Sequence, residues 1–158
     1  MSTFLERLEK RKEDRGMMAN LRCILVENKK HRAWPALYRL GVPVDNKIDA
    51  FVAGLFATHP ENISSGNFGS TCRAIAMLRD QHHGEDSKLT PTERRFQHLL
   101  SAEPGEELRQ RVLRMVLMAK SQSVAVNYEK LRLDLRYWNE RKTDWAAAYW
   151  QPVDEEAV

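Results

Sequence analysis

Residues 90–98 read TPTERRFQH and carry the punctuation of a helix start. Thr90 suits the N-cap, Pro91 the first helical position, where no amide donor is missed, and Glu93 the third position of a capping box. Phe96, Leu99 and Leu100 then share one side at about 100° per residue, so an amphipathic helix is predicted from Thr90 to about Ser101. The positive end of a helix dipole favours acids, yet Arg94 and Arg95 follow at once. They stand in the second turn, where the dipole penalty is small, but nothing local asks for them. Solubility is the plain explanation; an anionic partner is the specific one.

The same spacing recurs on both sides. Downstream, Pro104 to about Gln122 forms a helix with Leu108, Val112, Met115, Val116 and Ala119 as its core stripe. Asn127 opens another, carried by Tyr128, Leu131, Leu135 and Trp138, and a final helix spans roughly Lys142 to Trp150. Upstream, Phe4, Leu5 and Leu8 give a short helix ending near Arg15-Gly16, and Met17, Met18, Leu21, Ile24 and Leu25 give a second. AWPALYRLG supplies a third, with Pro35 near its start and Gly41 as terminator. Asp45 is placed to cap a fourth, which uses Ile48, Phe51, Val52, Leu55 and Phe56 and stops at Thr58-His59-Pro60. After ENISSGNFGS a fifth packs through Cys72, Ile75, Ala76 and Leu78 or Met77. No alternating strand pattern occurs. The prediction is an all-α protein of eight to nine helices in two small bundles, 1–81 and 90–150. A flexible linker at 82–89 joins them, and an acidic tail follows at 151–158.

With 158 residues, 42% of them hydrophobic and 30% charged, the chain has enough material for a buried core. No apolar run approaches the roughly 20 residues of a membrane helix. The amino terminus, MSTFLERLEKRKEDR, lacks the apolar core of a signal peptide, so a cytoplasmic protein is expected. Cys23 and Cys72 lie far apart in separate helical patterns and read as reduced, buried thiols.

The formal charge is only +3 but is unevenly placed. Residues 90–150 hold eleven Lys/Arg against eight Asp/Glu, whereas the tail QPVDEEAV holds three acids and no base. This bias permits nucleic acid binding without requiring it. Arg94 and His98 form an outward ridge, Arg111 and Arg114 share one edge of the next helix, and Arg132 and Arg136 lie one turn apart on the third. Presented together, these pairs would make a track for phosphates. Taken singly, an arginine on such a helix is more commonly a solvated face, and Glu107 stands four before Arg111 as an ordinary helix partner.

Other chemistry is sparse. His82 and His83 with Glu85 and Asp86 are metal-ligand types, but a loose loop lacks the fixed geometry of a closed site. NFGSTCRA reads as a turn and N-cap more readily than as a phosphate cradle. There is no Walker loop, HExxH or GxSxG. Neither catalysis nor a cofactor or metal is expected. The terminal aromatics Tyr137, Trp138, Trp145, Tyr149 and Trp150 suit a core or a partner-facing patch.

Three stretches, RAWPALYRL, GNFGSTCRAIAML and ERRFQHLLSAEPGEELRQRVLRMVLMAKSQSVAVNYEKLRLDLRYWNERKTDWAAAYW, together resemble the CasB family, the small subunit of the type I-E CRISPR surveillance complex Cascade. The match covers most of residues 32–150. The resemblance implies an all-helical, non-catalytic subunit, present as two copies and touching the large subunit and the guide-binding backbone subunits. Its basic surface would help hold target DNA opened by the guide RNA, especially the displaced single strand. Carried over position by position, it implies nucleic-acid contacts at Lys47, Arg73, Arg94, Arg95, Arg114 and Arg141. SAEPGEE is acidic where some members are basic, and Glu140 precedes Arg141, so Lys142 enters as a compensating cation. Arg111, Arg132 and Arg136 rest on helical geometry alone. The competing reading is a helical adaptor that docks its aromatic carboxy-terminal helix on a protein and leaves DNA alone.

Overall fold

The computed structural model describes residues 3–80 and 88–152. The linker segment 81–87, with His82 and His83, and the tail from 153 to 158 lie outside the described residues. Nine α-helices are found among those described: α1 (Phe4–Lys10), α2 (Arg15–Arg22), α3 (Trp34–Arg39), α4 (Lys47–Thr58), α5 (Phe68–Arg79), α6 (Pro91–Leu100), α7 (Glu106–Ser121), α8 (Tyr128–Arg136) and α9 (Trp138–Tyr149). The one sheet-like feature there is an isolated bridge between Asn62 and Val126. The all-α expectation holds.

Short polar side chains start most of these helices by satisfying amides that have no intrahelical acceptor. Thr3 with Glu6, Asn67 with Ser70, and Thr90 with Glu93 form reciprocal boxes. Asp14 and Asn127 each accept from the amide three residues on. Several expectations change. Helix α1 stops at Lys10, and Arg15-Gly16 opens α2 rather than ending α1, because Asp14 caps there. Met77 and Leu78 are exposed, so α5 packs without them. Asn46, not Asp45, caps α4, because its side chain accepts from the Asp49 amide at 3.1 Å. The last helix begins at Trp138, four residues before Lys142. Tyr137, at φ −120° and ψ 41°, breaks the ladder once, and α9 follows directly. The polar run 139–142 hides that start, although Trp138 and Trp145 already share a face. Glu27–Ala33 adds a 3-10 segment that no sequence pattern announced.

Packing crosses the expected division between the halves. The buried side chains make one continuous hydrophobic cluster, from Phe4 to Tyr149. Helix α5 lies close along α9: a Cβ on Gly69 would run into the Trp145 backbone, and the Phe68 and Trp145 rings sit 5.1 Å apart. Only glycine permits this approach. Helix α4, buried at every residue from Asp49 to Ala57, packs on α2 and α8. The loops after α4 and α7 are laced together as well. His59 Nε2 lies 2.6 Å from the Val124 carbonyl, Asn127 donates to Gly66 O at 2.9 Å, and the Tyr128 hydroxyl donates to His59 O. Burial raises the Tyr128 pKa well above the ordinary phenol value, so this donor stays protonated.

Three of the five terminal aromatics are core. Trp138, Trp145 and Tyr149 are buried, and each buried indole N–H finds an acceptor: Trp138 donates to Ala102 O at 3.1 Å and Trp145 to Asp134 at 2.7 Å. These three rings are therefore spent on the core, while Tyr137 and Trp150 stay 48% and 38% exposed at the surface of the carboxy-terminal segment. Cys72 is buried as expected; Cys23 is partly exposed, and both are free thiols. No described helix is long and apolar enough to cross a membrane, and no metal-ligand cluster occurs among the described residues.

Candidate nucleic-acid interface

The cap at Thr90 does more than start α6. Thr90 Oγ1 accepts from the Glu93 amide at 3.1 Å, and Glu93 returns a bond to the Thr90 amide at 3.2 Å. The other Glu93 oxygen accepts from Trp150 Nε1 at 2.8 Å. Phe96 stacks on Tyr149 with centroids 4.4 Å apart and planes 13° from parallel. One face of α6 is thus clamped to the end of α9, which leaves Arg94, Arg95 and His98 exposed.

Arg95 and His98 then meet α7. Together with Arg79, Arg111, Arg114, Met115, Leu117 and Met118 they line an open groove of about 410 Å³. Among the described residues, no carboxylate lines it. Arg95 Nη1 rests 3.8 Å from Met118 Sδ. Arg111 plays a different part: only 17% exposed in its side chain, it pairs with Glu107 and donates to His98 O at 2.7 Å and Ser101 Oγ at 3.1 Å. A cation at the carboxy-terminal end of α6 is well placed against the dipole. Arg111 therefore fixes α7 to α6, while Arg79, Arg95 and Arg114 have no ion-pair partner among the described residues. Their charge is available to an outside anion. Arg94 is also exposed, again with no ion-pair partner among the described residues, but lies outside the groove.

The α8 pair points elsewhere. Arg132 Nε lies 2.8 Å from Asp49 Oδ1 and its Nη1 3.0 Å from Glu129; Arg136 reaches the same Asp49 oxygen at 3.5 Å. The guanidinium of Arg132 also sits 4.9 Å over the Phe4 ring. Hydrogen bonding to Asp49 raises the Arg132 pKa above its ordinary value. These two arginines join α8 to α4, so three basic pairs do not form one ridge. Arg136 still borders a second groove of about 410 Å³ with Lys47 and Arg109, where Asp45 is also present. Arg73 donates to the carbonyls of Tyr149 at 3.3 Å and Gln151 at 3.4 Å, tying down the end of α9. Arg141 lies 3.9 Å from Asp144, an exposed pair of small value, and Lys142 is partly buried.

Two cations in these grooves escaped the sequence reading. Arg79 is the last residue of α5 and shares no helical stripe with the residues it joins. Arg109 stands about 200° from Arg111 around α7, hence on the other groove. Each is visible only once neighbouring helices are in place.

The architecture recurs in solved proteins. A CRISPR-associated protein of the Cse2 family from Thermus thermophilus superposes with a TM-score of 0.74 at 18% identity, over 94% of this chain and 96% of that one. A structure of CasB from the same organism gives 0.73 at 17% identity, with the same coverage, and M. ruber CasB gives 0.68 at 22%, over 99% and 98%. No curated protein matches the chain. At these identities the superpositions establish the fold. The sequence itself matches the family model of CRISPR-associated protein Cse2 over residues 17–150, and the chain belongs to that family, which includes the CasB proteins.

Proposed function

We propose that this Cascade subunit holds the sugar–phosphate backbone of opened target DNA, chiefly the displaced single strand, and so prolongs the R-loop in antiviral defence without catalysing a reaction. The observation that carries this reading is the groove lined by Arg79, Arg95 and Arg114, with no carboxylate among its described lining residues. Phosphates would take the place of hydration around those guanidinium groups, and the cations would release condensed counterions from the strand. R-loop formation exchanges one duplex for another of similar stability, so a few such contacts per subunit tip it. Arg94 extends the same surface. Lys47, Arg109 and Arg136 offer a second, weaker contact for guide or target, and Arg141 and Lys142 a third. Arg73, Arg111 and Arg132 act by positioning helices. The protein partners in this reading are the large subunit, the backbone subunits and a second copy of the chain.

A protein-bridging role has its own support. Trp34 and Tyr38, one turn apart on α3, are 48% and 81% exposed, and Val44 nearby is 48% exposed. Such an apolar patch suits another subunit, and it lies on elements that do not line the arginine groove. The two roles separate in one experiment. Labelled single-stranded DNA is titrated at low and moderate salt, with the free chain and with the assembled complex. The expected dependence of log K on log salt has a slope near −2, about −0.7 for each of three neutralised phosphates. Replacing Arg79, Arg95 and Arg114 with alanine flattens it and shortens R-loop lifetime. Unchanged binding and R-loops in that variant leave the bridging role alone standing.

A further inference from the structure

We propose that the groove between α6 and α7 seats an unstacked nucleobase, so that the strand is gripped by base as well as by phosphate. The inference rests on the strand-binding reading above and adds the part of the ligand that the arginines alone leave undescribed. Its ground is the composition of the groove. A track for phosphates needs only cations and water, yet here the cationic rim surrounds Met115, Leu117 and Met118. Leu117 is 46% exposed, an apolar side chain left in solvent among arginines.

Rim and floor call for different halves of one ligand. Arginines without a neighbouring acid select an anion; the floor selects a flat apolar face. A nucleotide of a single strand presents both. The volume, about 410 Å³, falls in the range of small-molecule sites, roughly 300–1,000 Å³. The partly exposed thioether of Met118 suits a ring of variable shape, because methionine is flexible and polarisable, while Met115, 1% exposed, belongs to the core. Arg95, already against Met118 Sδ, is placed to lay its guanidinium plane over a base.

Selectivity follows. The lining offers guanidinium groups, which a guanine edge accepts from, but no side-chain carboxylate or amide among the described residues to pair with adenine or cytosine, so apart from guanine the seat discriminates little between bases. A base paired in a duplex cannot leave its stack to enter without losing its pairing energy. The groove therefore favours the displaced strand over either duplex.

The test compares two labelled strands of equal length and charge, an oligothymidylate and an abasic phosphodiester strand, binding the full-length chain at low salt. The parent is expected to prefer the thymidylate about fivefold, the effect of burying roughly 40 Å² of apolar surface. Leu117→Ser, at a position 46% exposed and outside the buried core cluster, is expected to reduce the preference below about twofold while leaving the salt slope unchanged. Arg114→Ala does the reverse, lowering the slope and keeping the preference. Equal binding of both strands by the parent, or a preference that survives Leu117→Ser, overturns the base seat and leaves backbone binding intact. Failure of the parent to bind either strand removes both.

Discussion

Arg95 and Arg114 line a groove that shows no acid among its described residues, whereas Arg132 and Arg136, equally basic and one helical turn apart, close on the carboxylate of Asp49. All four stand on amphipathic helices, but the first two have no ion-pair partner among the described residues and the second two are spent on Asp49. Asp49 is nearly buried, and its side chain also accepts from the side-chain amide of Asn46 at 3.0 Å. A carboxylate in that position has to be matched by a cation. The α8 arginines meet this need and fasten α8 to α4. What separates an arginine with an available charge from a structural one is thus the charge on the helix opposite.

Four experiments would break or sharpen this contrast. Asp49→Ala leaves Arg132 partly buried with Glu129 as its remaining acid; the expected loss is about 2–4 kcal/mol in chemical denaturation, at or below the usual cost of splitting a buried pair because Arg132 keeps Glu129 and some solvent contact. Strand affinity is not expected to rise. A gain in DNA binding at unchanged stability would show that Arg132 and Arg136 are held in reserve for nucleic acid. The mirror variant, Arg95→Ala with Arg114→Ala, should stay within about 0.5 kcal/mol per site of the parent in stability. It should also bind single-stranded DNA about tenfold more weakly at low salt and lose about 1.4 from the salt slope.

Thr90→Ala tests whether the cap aims the groove arginines. Loss of the capping box is expected to cost about 1 kcal/mol in thermal or chemical unfolding, with a smaller fall in strand affinity as the first turn frays around Arg94 and Arg95. Equal affinity with lost stability would mean that the clamp of Phe96 on Tyr149 suffices. The smallest change is expected in thiol labelling. Burial raises the Cys72 thiol pKa well above the ordinary range and shields it from reagent. Native protein should therefore label at Cys23 alone near neutral pH, and the groove variant should behave the same. In Asp49→Ala, Cys72 labelling should accelerate with opening of the core.

Much of the fold was legible from residue order. The capping boxes, Gly41 at the end of α3 with φ 73°, and the apolar stripes of α4 to α8 all act through neighbours within four residues. Expectations failed where local signals competed. Asp45 and Asn46 are both good caps, and only backbone geometry decides that Asn46 serves. At Trp138 a single residue, Tyr137, separates two helices, too brief a break for periodicity to register. The candidate site was half legible. Arg95, Arg111 and Arg114 were identified with their helices, but Arg79 and Arg109 were missed, and the pairing of Arg132 with an acid on another helix went unseen.

The chain alone determined its helices, their caps, their apolar faces and its membership of the Cse2 family, since each of these is written in short-range spacing or in residue order over 17–150. Only the tertiary structure decided that the segments before and after residue 81 share one core, and which arginines keep a free charge. Periodicity sets the angle of a side chain around its own helix axis; it says nothing of what stands opposite. For Arg132 that is an acid 83 residues away, and for Arg114 it is a groove with no acid among its described lining residues.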